Sequence, residues 1–181
     1  MSQSYTSFDT ALGTLAIAWT NRGICAVQLA EESKEKTIQQ LRKRLPNAQE
    51  AEPSMIVKRT IHLLTQHLSG SVQDFSGIPL DLAGQQPFSQ KVYEATRAVK
   101  AGSVASYSDI ALKVGAPDAS RAVGRALGTN PVPIIIPCHR IIGKNGAMTG
   151  FSAYGACDTK MKLLSIEKAL SSDKVSMAGL S

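Results

Sequence analysis

Cys138, His139 and Glu167 are the residues of this chain best suited to covalent chemistry. A cysteine beside a histidine pairs a nucleophile with a base, and a carboxylate that orients the imidazole completes the usual logic for activating a thiol. The cysteine lies near the end of an unusual run, Asn130-Pro131-Val132-Pro133-Ile134-Ile135-Ile136-Pro137-Cys138-His139-Arg140. Its prolines forbid a helix and exclude a central strand, so an extended apolar segment must be held by its surroundings, and Cys138 is expected to be buried with it. Burial raises the pKa of a thiol and leaves it inert unless a base or donor network stabilises the thiolate. Taken alone, the pair fits a packing cysteine beside a hydrogen-bonded histidine better than a nucleophile. A cysteine protease would set its nucleophile at a helix start with a distant histidine, and this sequence does not resemble that. His62 and His67 fall on different faces of one predicted helix and are read as surface or packing residues.

A second cluster points to nucleic acid. Ser106 and Asp109 have the spacing of a capping box, which opens a short helix ending near Gly115. After the turn Gly115-Ala116-Pro117, Asp118 is expected to cap a second short helix that stops at Gly128. Two such helices around a glycine-containing turn have the lengths of a helix-turn-helix. On the second, Ala122, Val123, Ala126 and Leu127 can face inward, leaving Arg121 and Arg125 on one outward stripe beside Ser120 and Gly124. Small residues next to arginines let a helix approach a phosphate backbone while the guanidinium groups reach phosphates or bases. An ordinary antiparallel helix pair with solvated arginines has the same pattern.

Other elements must position these two clusters. Ser4–Phe8, Thr14–Thr20 and Gly23–Leu29 read as strands of a small antiparallel sheet. Ser33–Leu45 has helical spacing with Ile38, Leu41 and Leu45 on one side, and Pro53 opens a helix running to Leu68. Gly77–Leu82 could return as a last strand. Beyond it, Phe88–Val99 and Thr159–Leu170 are predicted helices, the latter packing through Met161, Leu164, Ile166 and Leu170. The expected fold class is therefore α+β: a sheet-and-helix domain over 1–83, a linker over 84–87, an all-helical domain over 88–170 and a flexible tail over 171–181.

Charge follows the same division. Residues 1–87 carry 8 Lys/Arg and 8 Asp/Glu, whereas 88–181 carry 12 and 6, so the whole net charge of +6 sits in the helical half. That asymmetry suits an anionic partner, nucleic acid first, although a merely basic surface fits it too. The three cysteines, Cys25, Cys138 and Cys157, form no Cys-x-x-Cys pair, which argues against a disulfide framework and against zinc. Met1–Phe8 lacks a secretion signal, and Val132–Cys138, the longest apolar run, is too short for a membrane span. These features suggest the cytoplasm, or the nucleus if the source is eukaryotic.

Together the motifs resemble the O6-alkylguanine-DNA alkyltransferase family. The resemblance rests on Pro137-Cys138-His139-Arg140, preceded by Asn130-Pro131 and followed by Gly150-Phe151. It extends upstream through Ser120-Arg121-Ala122-Val123-Gly124, Val104-Ala105-Ser106-Tyr107 and Pro87-Phe88-Ser89-Gln90-Lys91-Val92-Tyr93. It implies that Cys138 accepts the alkyl group, that His139 (through a water) and Glu167 generate its thiolate, and that Asn130 braces the turn. Tyr107 would contact the target base, Arg121 would fill the space the flipped base leaves, and Ala119, Ser120, Ala122 and Arg125 would lie against DNA. Pro133, Phe151, Ser152 and Tyr107 would line the alkylguanine pocket. The implied partner is double-stranded DNA bearing alkylated guanine, and alkylated thymine as well. The implied reaction is a single turnover by a monomer without cofactor or metal. The stretch 152–159 is about two residues longer than is usual in that family, which bears on the alkyl groups accepted. A lesion-binding protein without transfer, or a helix-turn-helix regulator, would share the fold.

Overall fold

The computed structural model describes residues 2–148 and 156–168, which form two compact units: 2–84 with 131–135, and 85–130 with 136–148 and 156–168.

In the first unit, β1 (Ser4–Thr10), β2 (Gly13–Thr20) and β3 (Gly23–Gln28) form an antiparallel meander, and the two-residue strand β4 (Gln49–Glu50) adds in parallel beside β1. The sheet order is β3-β2-β1-β4. β2 is central and buried on both faces, which the pleat allots to alternate residues: Ala16 and Ala18 to one, Leu15 and Ile17 to the other. The alanines join Tyr5, Ala26, Leu41 and Ala48 in a cluster against helix α1 (Lys34–Arg44). Their small side chains leave room for Leu41, which is fully buried; truncating it to alanine would cost about 2–5 kcal/mol. Ser33 caps α1 by accepting from the Lys36 N–H. Helix α2 (Met55–Leu68) packs against β1, with His67 in the core edge-on to Phe75 and His62 exposed.

Sequence expectations are corrected at two places here. Pro53 precedes the helix start, and Ser54 is the N-cap. Gly77–Leu82 forms only an isolated bridge: Ile24 N–H donates to the Pro79 carbonyl (2.9 Å) and Asp81 N–H to the Ile24 carbonyl (2.8 Å). This segment passes so close that a Cβ on Gly23 would lie 2.5 Å from the Pro79 oxygen, so the position requires glycine. β4 lacked an alternating apolar signal, because both its residues are polar and exposed.

The second unit begins with α3 (Pro87–Arg97), which opens on a proline whose missing N–H has no helical partner to lose. Its Tyr93 is fully buried and donates its hydroxyl proton to the Ala126 carbonyl (2.9 Å). β5 (Ala105–Ser106) leads into α4 (Tyr107–Lys113), where Ser106 and Asp109 form the expected capping box. α5 (Ser120–Gly128) follows; its N-cap is Ala119, with no side-chain cap bond, so Asp118 does not cap it. A 3₁₀ turn (Cys138–Arg140) and β6 (Ile141–Ile142) come next, β6 pairing in parallel with β5. The last helix, α6, spans Ala156–Ile166, earlier than expected. Glu167 therefore lies in the turn after the helix, while Leu170 and the tail over 171–181 lie outside the described residues.

The apolar run before the thiol is divided between the units. Residues 131–135 belong to the first, where the Val27 N–H donates to the Pro131 carbonyl (2.9 Å). Within this strap Ile134 takes φ +72°, a left-handed conformation that costs a β-branched residue about 1–3 kcal/mol and persists only where the surroundings impose it. No helix among the described residues is long and apolar enough to cross a membrane.

Candidate active site

The thiol is presented by a tight turn. Pro137 has φ −80° and ψ 64°, the geometry of an inverse γ-turn, and the Cys138 N–H donates to the Ile136 carbonyl (2.8 Å). The proline ring holds that φ, and the Arg140 N–H closes the following 3₁₀ turn on the Pro137 carbonyl (2.9 Å). The Ile136 carbonyl also accepts from Asn130 Nδ2 (2.8 Å), so Asn130 grips the turn from the far side of the strap. Cys138 is buried, 6% exposed. Desolvation pushes its pKa up, while a hydrogen bond from Asn130, the Lys160 ammonium and the amides of Cys138 and His139 pull it back. At rest the thiol is protonated, and any thiolate must be generated by a neighbouring base.

The candidate for that base is His139. His139 is fully buried, with Nε2 2.8 Å from Glu167 Oε1. A carboxylate at Nε2 selects the tautomer protonated there, leaving Nδ1 as the basic nitrogen. Glu167 is in turn fixed by Arg140, whose Nε donates to Oε2 (2.9 Å) and Nη2 to Oε1 (2.8 Å), a bidentate pair. Arg140 Nη1 donates to the Val99 carbonyl (2.6 Å). The buried carboxylate and guanidinium thus compensate each other, which makes two desolvated charges tolerable.

Two of these groups were missed in the sequence. Arg140 is visible in the sequence only as part of a motif, because nothing in its spacing announces Glu167 as a partner. Lys160 sits in an apolar helical stripe, is 1% exposed and donates to the Ile141 carbonyl (2.6 Å). A lysine there has the sequence signature of a solvated face, so periodicity could not find it.

The helix pair is tied to the thiol's turn by backbone. Ala105 pairs with Ile141 and Ser106 with Ile142, so the chain leaving the 3₁₀ turn lies alongside the chain entering α4 and Tyr107. Tyr107 is half-buried beside α5: a Cβ on Gly124 would stand 3.9 Å from its ring. Arg121 and Arg125 are exposed one turn apart, with Ala119, Ser120 and Ala122 half-buried next to them. Val123, Ala126 and Leu127 are buried, so α5 offers its charged side outward as expected.

Pro133 is half-buried in the first unit, and Phe151 and Ser152 lie outside the described residues, as do Gly150 and most of the loop 152–159. A cavity of about 430 Å³ in the first unit, lined by Trp19, Arg22, Ile56 and Pro79 among others, contains none of the candidate residues. Among the described residues no group of three or more His, Cys, Asp or Glu side chains could hold a metal ion.

Two family models cover nearly the whole chain. Residues 87–169 match the 6-O-methylguanine DNA methyltransferase DNA-binding domain, and residues 4–82 match the ribonuclease-like domain of the same family. The chain belongs to the 6-O-methylguanine DNA methyltransferase family. Its similarity to individual members is of matching extent. It is 39% identical over 168 residues to the constitutive methylated-DNA–protein-cysteine methyltransferase of Bacillus subtilis, covering 91% of this chain and 94% of that one. The inducible B. subtilis protein is also 39% identical, over 87% of this chain and 86% of its own length. Among solved structures, Mycobacterium tuberculosis O6-methylguanine methyltransferase aligns over 96% of this chain and 98% of that one, at 31% identity and a TM-score of 0.75. The M. tuberculosis OGT in complex with DNA gives the same TM-score and coverage at 29% identity. These likenesses agree with the α+β architecture and with a helical domain that carries the helix-turn-helix.

Proposed function

We propose that this protein reverses DNA alkylation directly, moving the alkyl group from O6-alkylguanine to Cys138 in one irreversible turnover. The observation that carries the reading is the buried relay His139–Glu167–Arg140, which follows the buried Cys138 on a turn whose carbonyl Asn130 holds. His139 takes the thiol proton at Nδ1, and Glu167 balances the imidazolium that forms. The sulfur attacks the alkyl carbon; a C–S bond forms, the C–O6 bond breaks and the released guanine is reprotonated. Tyr107, at the start of α4, is the donor for that developing charge.

The O6 atom of guanine faces the interior of the duplex, so a buried thiol reaches it only if the nucleotide is flipped, at a cost of a few kcal/mol. Arg121 offsets part of that cost by occupying the vacated stack, and Arg125 with Ala119, Ser120 and Ala122 holds the backbone. Tyr107, Pro133, Phe151 and Ser152 are the residues that the family resemblance assigns to the extruded base. The reading extends to O4-alkylthymine as a second substrate. The product is a thioether, which water does not cleave, so each molecule acts once, as a monomer in the cytoplasm and without a cofactor.

Intact-protein mass spectrometry after incubation with a duplex containing O6-methylguanine tests the proposal. One methyl gained per molecule, and none in Cys138→Ser, is the expected result. Tight, lesion-selective binding with no mass gain would instead make the protein a lesion-recognition module.

A further inference from the structure

We propose that Arg44, at the far end of α1, is a positioning residue for Cys138 that acts by clamping the Pro131 carbonyl at the head of the strap. The inference rests on reading Cys138 as the alkyl acceptor. Arg44 Nη2 donates to the Pro131 carbonyl at 2.9 Å, and Nη1 reaches the Val27 carbonyl at 3.3 Å and Gln28 Oε1 at 3.2 Å. The Pro131 oxygen therefore receives two donors, Arg44 and the Val27 N–H, and the guanidinium spans the end of β3 and the strap.

The strap needs such a clamp. Pro131 and Pro133 have no N–H to offer a ladder, and the Pro131 carbonyl ties the strap to β3 and α1. Ile134 occupies a left-handed conformation that isoleucine does not adopt unaided. Val132, Ile134 and Ile135 are buried, but apolar packing is non-directional and does not fix the register of a segment this short. The charged, planar fork of Arg44 supplies that direction. Immediately after the strap, Ile136 provides the carbonyl that accepts from both Asn130 and Cys138. A displaced strap thus shifts the turn that aims the sulfur, and sub-ångström errors in a near-attack geometry are read directly in the rate.

The test is a rate-against-affinity split on Arg44→Met, Arg44→Lys and the control Lys43→Met, whose exposed side chain is next in sequence. Single-turnover transfer from an O6-methylguanine duplex gives the rate at saturating DNA and the half-saturating DNA concentration. Amide exchange at Val27 reports the strap, because that N–H is bonded to Pro131. Arg44→Met should lower the saturating rate on the order of tenfold. The half-saturating concentration should not move, and Val27 exchange should be faster. Arg44→Lys, with one donor for the same carbonyl, should recover part of the rate, and Lys43→Met should match the wild type. An unchanged saturating rate in Arg44→Met overturns the proposal, whatever happens to its melting temperature. So does a loss that appears only as weaker, salt-sensitive DNA binding, the mark of a phosphate contact. Should Arg44→Met be too unstable to assay, Arg44→Gln is judged by the same split. A wild-type protein that gains no alkyl group would instead refute the transfer reading itself.

Discussion

Replacing Glu167 by glutamine separates the chemistry of the relay from its packing. Oε1 receives both His139 Nε2 and Arg140 Nη2, and Oε2 receives Arg140 Nε. A glutamine placed with its amide oxygen at the Oε1 site keeps two of these contacts. Its NH2 then faces the Arg140 Nε–H, donor against donor, and the flipped amide is worse. The buried guanidinium also loses its counter-charge, for a stability cost of about 3–5 kcal/mol, a serious fraction of the roughly 5–15 kcal/mol typical of a domain. The kinetic effect has a different origin. In the native cluster, proton transfer creates an imidazolium beside a carboxylate. In the variant it creates one beside an amide, with Arg140 as an uncompensated cationic neighbour. At about 4 Å and an effective dielectric near 20, the missing attraction is about 4 kcal/mol. Relaxation of the arginine reduces that to about 2–4 kcal/mol, a rate loss of roughly 30- to 900-fold. Rapid-quench single-turnover transfer at saturating O6-methylguanine duplex, run at temperatures where the variant is folded, measures it. Because the relay no longer delivers the thiolate, the residual rate should climb steadily with pH toward the raised ionisation of Cys138. A folded Glu167→Gln that transfers within threefold of wild type, with an unchanged pH profile, would refute the relay and leave Glu167 as a partner for Arg140 alone.

Arg121→Ala should slow transfer more than it weakens DNA binding at low salt, since its work is to stabilise the opened stack; equal losses in a filter-binding and transfer comparison would make it a phosphate anchor. Tyr93→Phe should cost only about 1 kcal/mol in chemical denaturation. The Ala126 carbonyl it abandons keeps longer contacts to the Thr129 N–H and hydroxyl. The Cys25 thiol, half-buried beneath α1, has its pKa pushed up from 9.0 to about 11, first by desolvation and then by Asp81. The neutral thiol is thus favoured by folding, so its contribution is complete below pH 9 and is lost as pH rises through 11. Melting of the wild type should fall over that window by more than that of Cys25→Ala, by on the order of 2 kcal/mol after discounting for solvent access.

The parts of the site that the sequence revealed are those written in local chemistry. Ser106 and Asp109 announce their capping box by spacing, and the prolines before Cys138 announce a segment that only tertiary surroundings can hold. Glu167 is reachable as an orienting carboxylate through the logic of a base held by a third group and through the family resemblance, yet its placement just beyond α6 is not, since helix ends are set by packing. Arg140, Lys160 and Arg44 stayed hidden for one shared reason: each long cation reads as surface until its carbonyl or carboxylate partner is known, and those partners are distant in sequence. β4 escaped because a two-residue exposed pairing has no hydrophobic pattern to detect.

The strap also dictates an order of events as the chain is made. The first unit is not closed at residue 84, because 131–135 complete it and the Val27 amide has its partner in Pro131. During synthesis the outer end of β3 must wait for residues 85–135, roughly 3–10 s at ordinary elongation rates. Through that interval the end of β3 is a half-finished surface, with a polar amide unmatched and apolar residues uncovered. A fragment ending at the boundary between the two family-model matches would be held permanently in that immature state. The nascent protein thus completes its amino-terminal half only after just over half of the carboxy-terminal half has been made, and a chaperone acting on it would find its work in that gap.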